Sequence, residues 1–206
     1  MIASAPVFRF DSARHVYTLD GQQIPSVTQL LDAAQLVKGK KYFTESSRQR
    51  GSEVHALAAD YDLGVDLGGI LEKSGVRAYV LGYIGAAMAL KPRWEAVEEP
   101  EVHPVFRFAG TPDRVGTVFG RPTVAEIKTG ARSDEHAVQV ALQAVLISHR
   151  LRIDPDDIQR IVIYTKKTGK YETDQWKAKA DRVDEEKHTH RLDLERAFKV
   201  LKEHAC

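Results

Sequence analysis

Apolar and polar residues alternate on both sides of Asp20-Gly21, and this pattern predicts a β-hairpin over about residues 7–27. Asp-Gly between two such runs is a strong signal for a tight turn. After the hairpin, apolar residues recur with helical spacing. The spacing predicts a short helix capped by Ser26, a second helix over about 46–63 and a third over about 70–90.

The second half of the chain changes between strand and helix periodicity. Strands are predicted over 102–108, 111–119, 122–129 and 160–164, and helices over 133–151 and about 181–205. Strands that alternate with helices in this way indicate an α/β (mixed) fold. We expect one domain over 1–206, with a central mixed β-sheet flanked by helices.

Composition limits the class of protein. A chain of 206 residues with 43% hydrophobic and 29% charged residues is typical of a globular domain with a sizeable core. No apolar run is long enough for a membrane span, and the N-terminus lacks the pattern of a signal peptide. The single cysteine, Cys206, excludes an internal disulfide and a four-cysteine metal site. These features predict a cytoplasmic protein without a membrane partner.

The net charge of +1 is not that of a protein that coats nucleic acid. A local basic groove around an acidic site remains compatible with it, since the two sets of charges cancel in the sum.

Candidate chemistry centres on Asp113, Glu126 and Lys128. Side chains two residues apart on a strand point the same way, so Glu126 and Lys128 share a face. A turn at Gly120-Arg121 would place Asp113 opposite Lys128 and diagonal to Glu126, about 7–8 Å away at the backbone. The two carboxylates would then be close enough to share an ion.

A Glu–Lys pair with this spacing is, by itself, usually part of a solvated face. Here the apolar neighbours Val124, Ala125 and Ile127 indicate a central strand instead. Two carboxylates and an ammonium beside apolar strands need a partner, and a divalent cation would supply one. Glu99 and Glu101 could join such a cluster, although an exposed edge is the expectation for both.

The segments Gly110-Thr111-Pro112-Asp113 and Glu126-Ile127-Lys128 resemble the motif of the PD-(D/E)XK nuclease superfamily. The segment from Gly51 to His55 is similar to the helical Gly-x-x-x-His element of the RecB-like and phage exonuclease branch. Gln139 lies on the predicted helix where that branch carries a Gln-centred motif. The position four residues later, often Tyr in RecB-like proteins, is Gln143, for which we expect a polar flank beside an apolar stripe.

An N-terminal segment also resembles phage members of this branch, namely Tyr17-x-x-x-Gly21 followed by Pro25-Ser26-Val27-Thr28. The resemblance then covers about residues 15–175. It implies a restriction-endonuclease-like catalytic core over about 46–175, preceded by the hairpin and followed by the C-terminal helix.

The resemblance implies a role for each matching residue. The catalytic residues would be Asp113, Glu126, Lys128 and Gln139, and the metal ligands would be His55, Asp113, Glu126 and the carbonyl oxygen of Ile127. Lys128 would hold or polarise the attacking water, and Gln139 would orient Lys128 or a phosphate. The cofactor would be Mg²⁺, with Mn²⁺ able to substitute because a histidine ligand suits it. Without the resemblance, His55 is more simply a surface or core histidine.

The function implied is a metal-dependent DNA nuclease, most simply an exonuclease on linear DNA in phage-type recombination or repair. Its partner would be DNA, in particular double-stranded ends. A homo-oligomer and a single-strand annealing protein are further candidate partners. The alternatives are an endonuclease of the same fold and a catalytically inactive DNA-binding relative.

Overall fold

The computed structural model describes residues 6–37, 44–182 and 184–205 of the chain. Its N-terminal segment forms an antiparallel sheet of β1 (Phe8–Asp11), β2 (Val16–Leu19) and β3 (Gln22–Ile24). The predicted turn at Asp20-Gly21 is confirmed, since both residues have the positive φ that a tight hairpin turn requires. Ser26 then caps α1 (Val27–Ala33), and Gln29 completes a capping box with it.

Three helices follow: α2 (Glu45–Asp62), α3 (Gly68–Lys73) and α4 (Arg77–Leu90). The prediction of one helix over 70–90 is wrong, because the backbone becomes extended at Ser74 and separates α3 from α4. The start of α2 also differs from the sequence pattern at Ser46. Its N-cap is Thr44, whose hydroxyl oxygen accepts a hydrogen bond from the amide of Ser47 at 3.1 Å.

The remaining strands are β4 (Arg93–Val97), β5 (Glu101–His103), β6 (Phe108–Gly110), β7 (Arg114–Val118), β8 (Arg121–Lys128), β9 (Gln159–Thr165) and β10 (Tyr171–Trp176). The central sheet has the order β10-β9-β8-β7-β4, in which β8 and β9 are parallel and all other neighbours are antiparallel. The predicted mixed sheet is therefore confirmed. The predicted strand over 102–108 is wrong, since this stretch contributes to both β5 and β6, which pair around a turn. The sequence pattern did not predict β4.

Helices cover both faces of the central sheet. Ala125 and Ile127 of β8 pack in the core that α2 and α4 form on one face. Val124 packs on the other face against α5 (Glu135–Leu151). Because β8 is buried on both faces, the interpretation of its Glu–Lys pair as part of an exposed face does not hold.

The outer layer on the α5 side contains α1 and α6 (Asp184–His204), which pack together in one hydrophobic cluster. Within the described ranges, no helix combines the length and apolar character needed to cross a membrane. Cys206 lies outside the described residues.

Candidate metal centre

The turn between β7 and β8 sets the register on which the site depends. It is formed by Phe119 and Gly120, both with positive φ (51° and 77°), so that Arg114 pairs with Ala125. This is the geometry of a two-residue hairpin turn. The predicted turn at Gly120-Arg121 is wrong, and the register differs from the predicted one by two residues.

A shift of two residues keeps every side chain on its predicted face, because side chains alternate with a period of two. It does change which residues are neighbours. Asp113 immediately precedes β7, and continuing the register places it level with Glu126 rather than with Lys128. The two carboxyl-bearing residues are therefore direct cross-strand neighbours.

Asp113 is held by contacts from two elements. Its Oδ2 accepts a hydrogen bond from the backbone amide of Ile127 at 2.6 Å, which fixes the carboxylate against β8. Its Oδ1 lies 3.3 Å from Nδ1 of His55 on α2. Only 5% of Asp113 is exposed. This is a carboxylate kept in place by protein donors, with one oxygen turned towards the histidine.

Glu126 is held by three donors. Its Oε1 accepts hydrogen bonds from Nζ of Lys128 and from Nε2 of Gln139, each at 2.7 Å. Its Oε2 accepts one from Nε2 of Gln143, also at 2.7 Å. The polar-flank interpretation of Gln143 is therefore wrong, because this side chain is buried and contacts the carboxylate. Gln139 donates to the same carboxylate oxygen of Glu126 as Lys128 does.

His55 lies between the carboxylates and β8. Its Nδ1 is 3.3 Å from Oε1 of Glu98 and 3.3 Å from Oδ1 of Asp113, while its Nε2 is 3.1 Å from the carbonyl oxygen of Ile127. Burial lowers the pKa of the imidazole, but Asp113, Glu98 and Glu126 outweigh it and raise the pKa of His55 to about 11. In the metal-free protein both ring nitrogens therefore carry protons.

Glu98 is the member of this group that the sequence did not reveal. It follows β4 with a φ of 53°, and its amide donates to the carbonyl oxygen of Asp113 at 3.0 Å. This bond turns its side chain towards His55. The two acids that were weighed lie elsewhere, since Glu99 is exposed and Glu101 pairs with Arg150 at 2.5 Å. Because β4 was not predicted, nothing in the sequence distinguished Glu98 from its acidic neighbours.

A buried arginine supports the two carboxylate-bearing segments. Arg114 is fully buried, and its Nη1 donates to the carbonyl oxygen of Asp113 at 2.6 Å and to Oε1 of Glu98 at 3.3 Å. Its Nε donates to Oδ2 of Asp62 at 2.5 Å, and that oxygen also accepts from the hydroxyl of Tyr83. The network ties α2 and α4 to the start of β7, and so fixes the spacing of the site residues.

The donor atoms that could hold a cation come from His55, Glu98 and Asp113. One ligand atom from each lies within 4.8 Å of the others. Among the described residues, this is the one group of three or more His, Cys, Asp or Glu side chains that could hold a metal ion. Glu126 does not belong to it, because its oxygens face Lys128 and the two glutamines. The carbonyl oxygen of Ile127 faces Nε2 of His55. Of the three expected side-chain ligands, the structure thus groups two, His55 and Asp113, and adds Glu98.

The chemistry of this donor set suits a divalent cation. Two carboxylates supply the hard oxygens that Mg²⁺ and Mn²⁺ prefer, and an imidazole nitrogen favours Mn²⁺. The Glu98 side chain is 34% exposed and that of His55 is 27% exposed. The group is therefore open on one side, where water or a substrate oxygen could complete the coordination.

Two clefts meet at this group. One, of about 270 Å³, reaches Glu98 and Glu126 and is lined on its outer side by aromatic rings of the N-terminal sheet; we call it the aromatic cleft. Its lining comprises Phe10, His15, Tyr17, Ser26, Val27, Thr28, Glu98, Gly110, Thr111, Glu126, Gln139 and Gln143. The other, of about 510 Å³, reaches His55 and Lys128 and contains Arg48, Arg50 and Arg132; we call it the basic cleft.

No protein-family model matches the sequence, and a search of curated proteins finds no match either. The geometry of the site therefore carries the functional interpretation.

The charge state of His55 predicts a pH dependence of stability in the metal-free protein. The folded-state pKa is raised, so its contribution is fully present below the unfolded value near 6.5 and is lost as pH rises towards about 11. Relative to His55→Gln, the wild-type free energy of unfolding should fall by at most about 1.4 kcal/mol per pH unit between pH 7 and 9. Urea unfolding in EDTA measures this difference. Parallel curves for the two proteins would contradict a protonated His55.

Glu98 and Glu99 form a matched pair for testing the cation group. Glu98→Gln removes one charged ligand and should weaken Mn²⁺ binding by about 10–100-fold, as loss of a metal-site partner typically does. Glu99→Gln removes the same charge from an exposed neighbour and should leave the Mn²⁺ affinity unchanged. Isothermal titration of both variants with Mn²⁺ gives the comparison. Equal effects would show that only the general negative potential matters.

Proposed function

We propose that the protein is a divalent-metal-dependent deoxyribonuclease that hydrolyses phosphodiester bonds. One observation carries the proposal: a group of cation ligands lies beside a clamped Glu126–Lys128 pair at the point where two clefts meet. Metal-dependent hydrolysis of a phosphodiester uses a Lewis acid, a positive charge near the phosphate and access for a polyanion. The site offers residues suited to each.

His55, Glu98 and Asp113 are the residues that would hold the cation. When bound, Mg²⁺ or Mn²⁺ would neutralise a phosphate oxygen and lower the pKa of a nearby water. The Ile127 amide and Arg114 keep the oxygens of Asp113 and Glu98 in fixed directions. Because the ligands are already positioned, little reorganisation is needed on binding.

Lys128 is suited to offset the negative charge that grows on the phosphate. Burial lowers the pKa of its ammonium, but Glu126 and Asp113 raise it by more, so that the pKa lies above the ordinary value and Lys128 is charged at neutral pH. Glu126 holds its Nζ at 2.7 Å, and Gln139 and Gln143 hold Glu126 in turn. The role of the glutamines is therefore to position the carboxylate that aims the lysine.

The basic cleft is suited to the sugar-phosphate backbone. Arg48 and Arg50 lie at the start of α2, and Arg132 lines the same cleft from the segment after β8. Arg48 pairs with Glu45, and Arg132 pairs with Glu172 and Asp174, so a phosphate would compete with these carboxylates. Arg50 has a buried Nε without a protein partner among the described residues, and its guanidinium lies over the ring of Tyr79. Arginines so placed contact phosphate oxygens in many nucleic-acid sites.

Within this proposal, the favoured activity is the exonucleolytic degradation of linear DNA in the cytoplasm, as part of recombination or repair. An endonuclease and a DNA-binding protein without catalysis are its alternatives. A homo-oligomer and an annealing partner belong to the same proposal and have no separate support in the geometry.

Incubation with end-labelled linear duplex and with closed circular duplex separates these alternatives. In Mg²⁺ or Mn²⁺ the linear DNA should be degraded and the closed circle should survive, and EDTA should abolish degradation. Cleavage of the circle would assign an endonuclease. Binding without cleavage of either DNA would assign an inactive relative, and full activity in EDTA would end the metal hypothesis.

Lys128→Ala should separate chemistry from binding. An ammonium that acts mainly in the transition state contributes to the rate and little to ground-state affinity. The single-turnover rate should fall by at least about 100-fold. The affinity for DNA in Ca²⁺ should change by less than about tenfold.

Lys167→Ala removes one charge from an exposed turn and serves as the control. It should retain the wild-type rate. A Lys128→Ala protein that cleaves normally at saturating DNA but binds poorly would make Lys128 a phosphate contact instead.

A further inference from the structure

The aromatic cleft has a lining that the hydrolysis of a phosphodiester does not require. Phosphate chemistry needs cations and charged side chains, which the cation group and the basic cleft already supply. The aromatic cleft instead presents Phe10, His15 and Tyr17 within the same cavity as Glu98 and Glu126. Rings this close to the reacting groups point to a flat, uncharged part of the ligand.

The three rings form one stacked and edge-packed unit. Phe10 stacks on Tyr17 with the ring centroids 4.6 Å apart and the planes 17° apart. The ring of His15 meets Phe10 at 5.5 Å and Tyr17 at 5.4 Å, in both cases edge-on. Tyr17 is buried, Phe10 is partly buried and His15 is exposed. The rings of Phe10 and His15 are therefore the surfaces that a ligand can reach.

One hydrogen bond connects the rings to the segment that carries Asp113. The hydroxyl of Tyr17 and Oγ1 of Thr111 share a hydrogen bond of 2.8 Å, and Thr111 lies two residues before Asp113. A ligand held by the rings would therefore lie close to the residues that could hold a cation.

Gln143, one of the residues that line the cleft, has an acceptor without a donor among the described residues. Nε2 of Gln143 donates to Glu126, which fixes the orientation of the amide because a carboxylate only accepts. Its Oε1 is buried and accepts no hydrogen bond from any described residue. A buried acceptor of this kind is satisfied by an N–H group, an O–H group or an ordered water. Nucleobases present such N–H groups on their edges and aromatic faces above and below.

We propose that the aromatic cleft binds an unpaired nucleobase of the strand whose phosphodiester bond is cut. The base stacks on the exposed rings and its edge faces Gln143. The cleft has a volume of about 270 Å³, and a base can turn its edge towards Gln143 only when that edge is unpaired. The preferred substrate is therefore single-stranded DNA or a frayed end. This inference rests on the proposed nuclease function and specifies its substrate.

His15 and Phe119 provide a matched pair for the test. Both are exposed aromatic residues in hairpin turns with φ near +50° (52° and 51°), and Asn tolerates that conformation well. Phe119 lies at the far end of β7, about 20 Å from Asp113 at the usual rise of a strand. His15→Asn removes a ring from the cleft, whereas Phe119→Asn removes one from a distant turn.

The probe is a short single-stranded oligonucleotide with a fluorescent 2-aminopurine at one end, titrated with the full chain in Ca²⁺ in place of Mg²⁺. Wild-type protein should quench the fluorescence by stacking. His15→Asn should reduce the quenching and weaken binding by at least about fivefold, near the lower end for loss of a base–aromatic contact. Phe119→Asn should behave like wild type. An oligonucleotide with an abasic terminal site should bind wild type and His15→Asn equally.

Unchanged quenching and affinity in His15→Asn would overturn the inference, provided that the melting temperature matches wild type. A second variant, Phe10→Leu, keeps the apolar packing on Tyr17 and should show the same base-dependent loss. Cleavage in Mg²⁺ is recorded separately. If DNA is cleaved but His15→Asn matches wild type in the fluorescence titration, the base site is contradicted and the nuclease function stands. If quenching depends on the base but no DNA is cleaved, the nuclease function is contradicted and the base site stands.

Discussion

The pairing of two buried carboxylates across β7 and β8 is the constraint that shapes the rest of the site. Asp113 and Glu126 are each only 5% exposed, and buried charges of one sign need compensation. Asp113 obtains it from the Ile127 amide and His55, and Glu126 from Lys128 and two glutamines. Two helices, α2 and α5, thus deliver side chains to one end of the sheet because the carboxylates lie there.

The same arrangement divides the labour of the proposed reaction. The donors that surround Glu126 also hold an ammonium, while His55, Glu98 and Asp113 form a group that could hold a cation and is open to solvent on one side. The proton on His55 occupies part of the role that a divalent cation would take, since both satisfy the same carboxylate oxygens. Metal binding should then release this proton, which links cation affinity to pH. In the proposed reaction, the basic cleft would contact the phosphates and the aromatic cleft would bind a base.

Local patterns predicted the fold well, whereas contacts between distant segments were beyond them. Alternation and an Asp-Gly turn predicted the N-terminal hairpin, and the two-residue period put Glu126 and Lys128 on one face even though the turn was misplaced. Glu98 was missed because its role depends on the position of β4 and on its own left-handed backbone conformation just after that strand. Gln143 was misinterpreted because its burial depends on how α5 lies across β8. Arg114 gave no signal at all, since its partners Asp62 and Glu98 come from separate elements.

The central claim is that His55, Glu98 and Asp113 hold a divalent cation. The most direct measurement is an anomalous difference map from crystals of the full chain grown with Mn²⁺, recorded at the manganese absorption edge. The account predicts a peak within coordination distance of one nitrogen of His55 and one carboxylate oxygen of each acid. It also predicts that Glu126 keeps its bonds to Lys128, Gln139 and Gln143. A peak elsewhere, or a map without one at this site while Mn²⁺ supports cleavage, would contradict it.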